Sequence, residues 1–208
     1  MPIITLSRQY GSGGSEVATL LARELGWDLL DNAIIDAVAA RTGLSASEVA
    51  EREERMPSLV ERLVDAMTMG TQEMLSPIAA AKLPPTDEHL LEVTRHVIEE
   101  AAHRGPVVIV GRGAQEMLGS REDLLSVFCY APREALIERT MRRSQLDREA
   151  AIKLVDDQNK HRAEWVKAHW GREWLSVEHY DICVNTNTLG VEGAMHVILD
   201  VTRRRFAV

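Results

Sequence analysis

Residues 6–21, LSRQYGSGGSEVATLL, place glycines and hydroxyl side chains where a chain could hold phosphate. The stretch follows the apolar run 3–6 and leads into a helical pattern of apolar residues. The N–H groups in the first turn of a helix have no acceptor within that helix, and the helix dipole favours negative charge there. We therefore predict a phosphate site rather than a purely structural turn, formed by Gly11, Ser12, Gly13, Gly14 and Ser15.

This stretch satisfies neither common nucleotide motif. The pattern G-x-x-x-x-G-K-[ST] fails at its first glycine and requires lysine where Gly14 stands. The dinucleotide pattern G-x-G-x-x-G requires glycine where Glu16 stands, although Asp31 follows as a ribose-binding acid would. Arg8 is the only cation within the loop, and a guanidinium can bridge two phosphate oxygens. We predict that Arg8 replaces the lysine; the alternative is a surface arginine paired with Glu16 or another local acid.

Two further residues follow apolar runs and could contact a second ligand, one that accepts a phosphoryl group. Arg112 lies just after the run 107–110, between two glycines, and could clamp a phosphate at the carboxyl end of a strand. A structural ion pair is the alternative for this arginine. Asp31 could bind the sugar or base of an acceptor, or could cap the following helix.

A basic segment at about 139–172 has the character of a lid. Cations there would neutralise charge on a transferring phosphoryl group, and closure would exclude water. A solvated helix face is the alternative interpretation. The first three of its cations have the spacing i, i+3 and i+4 of one helix face; the set is Arg139, Arg142, Arg143, Lys160 and Arg162.

The same segment contains spaced aromatic rings, at Trp165, Trp170 and Trp174. They could stack on a base, but we expect them chiefly to pack the lid against the body of the protein. His161 and His169 have no evident partner in the sequence, and we assign them no catalytic role.

Elements that alternate along the chain must position these residues. Short apolar runs at 3–6, 27–30, 107–110, 124–130 and 180–184 are separated by helical patterns. Near-continuous apolar strands are typical of a parallel sheet covered on both faces, so we predict a doubly wound α/β fold. No linker divides residues 1–208, which we interpret as one domain with a helical insertion at about 45–85. The methionines of this insertion could serve core packing, an oligomer interface or closure over the acceptor.

Composition narrows the partners. The 208 residues carry a net charge of −8, which disfavours a broad nucleic-acid surface. We expect a cytoplasmic protein without membrane association, because no apolar run reaches spanning length and no signal peptide is evident. Cys129 and Cys183 lie in apolar runs without metal or redox spacing, and we expect buried thiols.

Four segments together resemble the cytidylate kinase-like family, a branch of the P-loop nucleoside monophosphate kinases. They are ITLSRQYGSGGSEVATLLA, DLLDNAIIDAVAARTGLS, VIVGRGA and YDICVNTNTLGVEG, and the resemblance covers nearly the whole chain. It implies a P-loop NTPase-like three-layer α/β/α fold with a five-stranded parallel sheet, a helical insertion and a helical lid. It also implies transfer of phosphate from ATP, with Mg²⁺, to a nucleoside monophosphate, CMP or dCMP being the first expectation.

The chain departs from ordinary members of that family at three positions. Gly14 falls on the lysine, Glu16 on a hydroxyl residue expected near magnesium, and Val110 and Gly113 flank a Gly-Arg where a pair of carboxylates is expected. The magnesium ligands are therefore not identified from the sequence. Two alternatives stay open: a nucleotide-binding regulator that has lost catalysis, and a dinucleotide-binding oxidoreductase module.

Overall fold

The computed structural model describes residues 1–54 and 86–208, which form one sheet and its covering helices. All strand pairs are parallel, and the strands are β1 (Ile3–Arg8), β2 (Asp28–Leu30), β3 (Val107–Val110), β4 (Leu124–Tyr130) and β5 (Ile182–Asn185). Their order across the sheet is β2-β3-β1-β4-β5. The dinucleotide-binding fold has β2 beside β1, whereas here β3 takes that place, so the strand order argues against the oxidoreductase alternative.

Helices connect these strands and cover both faces of the sheet. They are α1 (Gly14–Leu25), α2 (Ala33–Thr42), α3 (Ala46–Glu54), α4 (Asp87–Arg104), α5 (Ala114–Leu118), α6 (Arg133–Ser144), α7 (Arg148–Trp170) and α8 (Thr186–Phe206), with a short 3₁₀ turn at Val177–His179. None of the helices in the described ranges is long and apolar enough to cross a membrane.

Alternating side chains of the strands separate two apolar layers. Ile4 and Leu6 pack with α1 and α8 on one face, whereas Ile3 and Ile109 pack with α2, α4 and α5 on the other. Each fully buried aliphatic side chain contributes roughly 1.5–3 kcal/mol, so burial on both faces explains why these strands are almost continuously apolar. The predicted three-layer α/β/α fold with five parallel strands is confirmed.

Element boundaries differ slightly from those predicted. Strand β1 continues two residues beyond the apolar run, which makes Arg8 its last residue, paired in register with Cys129. Helix α1 ends before Gly26, whose left-handed φ of 67° suits glycine. Helix α2 follows Asn32, whose side chain makes no capping hydrogen bond, and the Asp31 carboxylate lies 3.7 Å from Nη2 of Arg8.

The proposed lid contains two helices, α6 and α7. They pack on each other around a small apolar cluster that includes Leu136, Ile137 and Val155. Of the helical insertion expected at about 45–85, helix α3 belongs to the described part of the chain. The methionine-rich portion, with its expected oligomer or closing role, lies outside the described residues.

Candidate active site

The glycine loop joins the carboxyl end of β1 to the first turn of α1. Gly11 and Gly13 have φ of 81° and 80°, in the left-handed region that disfavours other residues. A Cβ added to Gly11 would lie 2.7 Å from the carbonyl oxygen of Leu136, so α6 packs directly on the loop. Ser12 is fully buried; its hydroxyl donates to the carbonyl of Gln9 at 2.8 Å and accepts from Gly14 N at 3.3 Å. The structure therefore gives the Ser12 hydroxyl a role in folding the loop.

Two other elements hold this loop from outside. Arg139 of α6 donates to the carbonyl oxygens of Gly11, at 3.4 Å, and Ser12. The buried Thr186 hydroxyl, at the start of α8, also approaches the Ser12 carbonyl, at 2.6 Å, and that of Tyr130 at 3.2 Å. The loop is consequently fixed by contacts from both α6 and α8.

Arg8 leaves the end of β1 and extends toward the end of β3. Its Nη2 lies 3.7 Å from Oδ1 of Asp31, and its Nη1 occupies the space that a side chain on Gly111 would need. Burial lowers the pKa of Arg8, and the Asp31 carboxylate opposes this shift. The alternative interpretation is a surface arginine paired with Glu16 or another local acid. Arg8 is instead largely buried, its acidic neighbour is Asp31, and Glu16 lies 3.9 Å from Arg143.

The packing of Arg8 explains why glycine stands at position 14. A Cβ added to Gly14 would lie 2.5 Å from Cβ of Arg8 and 3.2 Å from Cβ of Cys129. Real Cβ atoms are essentially never that close to another carbon, so lysine at position 14 is incompatible with arginine at position 8 as placed here. The side chain of Arg8 and the absence of a side chain at position 14 are therefore coupled by packing.

Arg112 lies between two glycines in an unusual backbone conformation. Gly111, Arg112 and Gly113 have φ of 72°, 55° and 63°, which is a run of left-handed residues. Arginine pays roughly 1–2 kcal/mol for that conformation, so the surrounding fold must enforce it. Burial and the neighbouring Arg8 lower the pKa of Arg112 to about 10, and Asp31 acts in the opposite direction.

Arg8 and Arg112 together create a desolvated positive site. Both guanidinium groups are buried, and the Asp31 carboxylate opposes the effect of burial on the pKa of each. A guanidinium is positively charged at neutral pH. A bound anion would stabilise these two groups by replacing the hydration that burial removes. A phosphate group is the kind of ligand that this arrangement favours.

A cavity of about 140 Å³ opens beside these arginines. Arg162 of α7 also borders it, with its Nη1 2.7 Å from the carbonyl oxygen of Arg8 and its guanidinium 5.7 Å from the centre of the Tyr10 ring. Trp165 and Trp170 of the same helix pack against Gly113, which closes α7 onto the β3 loop. The full lining comprises Ser7, Arg8, Gly111, Arg112, Gly113, Gln115, Glu116, Gln158, His161, Arg162, Trp165, Val166, Trp174 and Tyr180.

Comparison with known proteins identifies the family. The model of the cytidylate kinase-like family matches residues 3–188. The chain belongs to this family. A cytidylate kinase of Ignicoccus hospitalis is 27% identical over 201 residues, covering 95% of this chain and 97% of that protein.

Solved structures show the same fold. A protein from Eubacterium ventriosum superposes with a TM-score of 0.70 at 21% identity, covering 97% of this chain and 98% of that one. A shikimate kinase from Bacteroides thetaiotaomicron gives 0.51 at 13% identity, covering 96% and 97%. Membership of the cytidylate kinase-like family, together with the similarity to the Ignicoccus hospitalis cytidylate kinase, supports a nucleotide kinase-type function.

The two helices predicted to form a lid do not bring all of the predicted cations to the site. Lys160 is largely exposed and lies 3.8 Å from Glu164 on the outer face of α7, whereas Arg162 borders the cavity. Arg142 is exposed, and Arg143 lies on the surface near Glu16. Of the predicted lid cations, the structure therefore places Arg139 on the glycine loop and Arg162 at the cavity.

Several residues of the site were missed from the sequence. Thr186 directly follows β5, and all carboxyl ends of parallel strands meet at one edge, so its position could have indicated a role. Asn159 of α7 accepts a hydrogen bond from Tyr10 N at 2.7 Å, which no motif indicated. His161 was assigned no catalytic role, yet it borders the cavity together with Gln158.

Proposed function

We propose that the protein transfers the γ-phosphate of ATP to a nucleoside monophosphate, with CMP or dCMP as the first candidate acceptor. The observation that carries this proposal is the buried pair Arg8 and Arg112, set between the glycine loop and the cavity. Such a pair can neutralise the oxygens of two phosphates that must approach each other for transfer.

The donor phosphates would bind at the glycine loop. Backbone N–H groups within residues 11–15 and the dipole of α1 provide the positive potential, while Ser15 is half-buried in the first turn. Arg139 and Thr186 fix the loop carbonyls, so the cradle needs little reorganisation when ATP arrives.

The transferring phosphoryl group would lie beside Arg8. The Arg8 side chain passes Gly14 with its Cβ and places its guanidinium near Gly111. It therefore extends from the donor loop toward the acceptor side. Arg112 would hold the acceptor phosphate, Arg162 would add charge from the lid, and Asp31 would orient the two buried arginines or the acceptor sugar. Catalysis would consist of positioning and charge neutralisation.

Magnesium would enter with ATP. Mg²⁺ keeps several waters and usually takes one or two protein oxygens besides phosphate oxygens. The described residues contain no cluster of three or more metal-binding side chains, and such a cluster is not required for this ion. The Ser15 hydroxyl, half-buried in the first turn of α1, would supply one such oxygen, and the ion would shield the phosphate charges.

The direct test is an assay of phosphate transfer. Purified protein is incubated with ATP, magnesium and separate nucleoside monophosphates, and diphosphate formation is followed by chromatography. We expect turnover with at least one pyrimidine monophosphate. If ATP is hydrolysed or bound but no monophosphate becomes a diphosphate, the kinase proposal is wrong.

The second candidate function is a nucleotide-binding regulator without catalysis. The specific observation in its favour is Gly14, which stands where the family's ordinary members have lysine. Tight ATP binding without turnover toward any monophosphate would support this function.

A further inference from the structure

The cavity beside Arg8 and Arg112 is lined by aromatic rings and carboxamides as well as by the cations that would bind a phosphate. Flat rings and hydrogen-bonding groups make up much of its remaining lining: Gln115, Gln158, His161, Trp165, Trp174 and Tyr180. Glu116 also borders the cavity, but its carboxylate is 3.0 Å from Arg172, so its negative charge is balanced locally. Such a lining suits a ligand that joins an anionic group to a flat ring with polar edges.

The rings on one side of the cavity are held in place by their neighbours. The Trp174 ring meets Phe128 edge to face at 5.4 Å, and the Phe128 and Tyr180 rings stack at 4.8 Å. The Tyr180 hydroxyl donates to the carbonyl of Trp174 at 2.8 Å. Because these contacts are internal to the protein, a ligand would find this side already ordered.

Trp165 contributes a further ring from the lid helix. Its indole meets Trp170 at 4.9 Å with an angle of 73°, and the Cβ position of Gly113 is 3.0 Å away. The ring is half-buried and borders the cavity. A side chain at position 113 would collide with Trp170 and crowd Trp165, so the glycine allows both rings to approach the arginine loop.

Two carboxamides can read the edge of a ring. Gln115 donates through Nε2 to the carbonyl of His179, which fixes the orientation of its carboxamide. Gln158 lies on α7 one turn before Arg162, and a carboxamide offers both a donor and an acceptor. A heteroaromatic base has donors and acceptors on its edge and an apolar face, which matches this combination.

We propose that this cavity binds the ring of the acceptor, a heteroaromatic phosphomonoester, by stacking on Trp165 beneath α7. The identity of the cavity as the acceptor site rests on the proposed function. The inference goes beyond that function because it assigns ring recognition to α7 and to the segment carrying Trp174 and Tyr180, whereas from the sequence we expected the tryptophans chiefly to pack the lid against the body of the protein.

The experiment measures binding to the full chain without ATP, by calorimetry. The probes are CMP, UMP, AMP and GMP, with ribose 5-phosphate and inorganic phosphate as ring-free references. We expect at least one nucleotide to bind roughly tenfold or more tightly than ribose 5-phosphate, as stacking on an aromatic side chain allows. Trp165→Leu should remove most of that preference, whereas Trp165→Phe should retain part of it.

Trp27→Leu is the matched control. Trp27 is also half-buried, but it packs beside Phe206 in the opposite layer, away from the cavity. Circular dichroism and thermal unfolding of each variant separate loss of fold from loss of binding. We expect Trp27→Leu to keep the preference for the ring-bearing nucleotide.

The outcomes distinguish this inference from the kinase proposal. If nucleotides bind no better than ribose 5-phosphate, or if folded Trp165→Leu keeps the parent's preference, ring recognition on Trp165 is wrong even when transfer occurs. If the preference exists and depends on Trp165 but no diphosphate forms, the ring site stands and the kinase proposal fails.

Discussion

Arg8 and Gly14 act as a matched pair within the loop. The Cβ of Arg8 fills the space that any side chain at position 14 would need, and its guanidinium extends toward Asp31 and Gly111. An arginine at position 8 of β1 can therefore replace a lysine at position 14 of α1 only when position 14 is glycine. Two predictions test the charge and the packing of this pair separately.

The first prediction concerns the charge of Arg8. Arg8→Ala should weaken ATP binding and lower turnover by roughly a hundredfold or more, because a preorganised charge contact to the transferring group is lost. Calorimetry with ATP and the diphosphate assay give the two readouts. Arg23→Ala, at an exposed position of α1, serves as the control. An Arg8→Ala protein that binds and turns over ATP like the parent would contradict the relocated cation.

The second prediction concerns the packing of Gly14. Gly14→Ala should lower the free energy of unfolding by about 1–3 kcal/mol, because the new methyl group would lie 2.5 Å from Arg8 Cβ. Urea denaturation measures this change. In the double variant Arg8→Gly/Gly14→Ala the clash is removed, so its stability loss should be smaller than the sum of the two single losses. Strict additivity would show that the two side-chain positions do not compete for space.

A glycine three residues after the kink at Gly190 provides the control for that packing. Gly193 lies in α8, and an added Cβ would be 3.4 Å from Leu189, an ordinary contact. Gly193→Ala should therefore leave stability unchanged or raise it by up to about 1 kcal/mol.

At the scale of elements, the start of α8 after β5 and helix α6 both converge on the glycine loop that follows β1. Asn185 accepts hydrogen bonds from Asn187 N at 3.0 Å and Thr188 N at 3.4 Å, so it caps α8 where Thr186 meets the loop. Helix α6 reaches the same loop through Arg139. The donor site is consequently shaped by three separate segments of the chain.

The third prediction tests this support from α8. Thr186→Val retains the shape of the side chain but removes the hydroxyl that contacts the Ser12 carbonyl. We expect ATP affinity to fall severalfold and unfolding free energy to fall by about 1–3 kcal/mol, because a buried carbonyl loses a partner. Calorimetry and urea denaturation measure the two effects.

Thr202→Val separates the loop effect from general stability. Thr202 is also fully buried in α8, but its hydroxyl donates to the Ile198 carbonyl at 2.7 Å within the helix. This variant should lose some stability and keep the parent's ATP affinity. Equal loss of ATP affinity in both variants would argue against a specific role for Thr186.

At the scale of the whole molecule, the start of the chain is tied to the central sheet by charge. The Met1 ammonium and Arg121 lie 3.0 Å and 2.8 Å from the Asp123 carboxylate, just before β4. The hydrogen bond from Arg121, followed by that from the Met1 ammonium, holds the pKa of Asp123 well below its ordinary value. This ion cluster links folding stability to pH.

The fourth prediction follows from the lowered pKa of Asp123. A carboxylate whose pKa is depressed by folding stabilises the native state above its unfolded pKa of about 3.9 and loses this contribution as pH falls toward the folded value. The stability difference between the parent and Asp123→Asn should be constant above roughly pH 5 and shrink at lower pH. Urea denaturation from pH 3 to 7 measures it, and parallel curves throughout would contradict the linkage.

Much of the fold follows from local sequence patterns. The apolar runs locate all five strands because buried parallel strands have no polar face, and glycines after helical patterns locate helix ends such as Gly26. Boundaries shift where polar residues continue a strand; Arg8 is part of β1 because the backbone ladder to β4 extends to Cys129. The glycine loop is also evident in sequence, since its components are contiguous.

The sequence by itself determined the family, the α/β class, the glycine loop and the presence of cations near it, because these depend on adjacent residues. Only the tertiary structure decided which cations face the site. Arg8 extends past the end of β3 toward Asp31, which follows β2, while Arg139 reaches the loop carbonyls and Lys160 faces outward. The spacing of residues along a helix predicts which of them share a face. It does not predict what that face contacts, because this depends on how segments distant in sequence pack together.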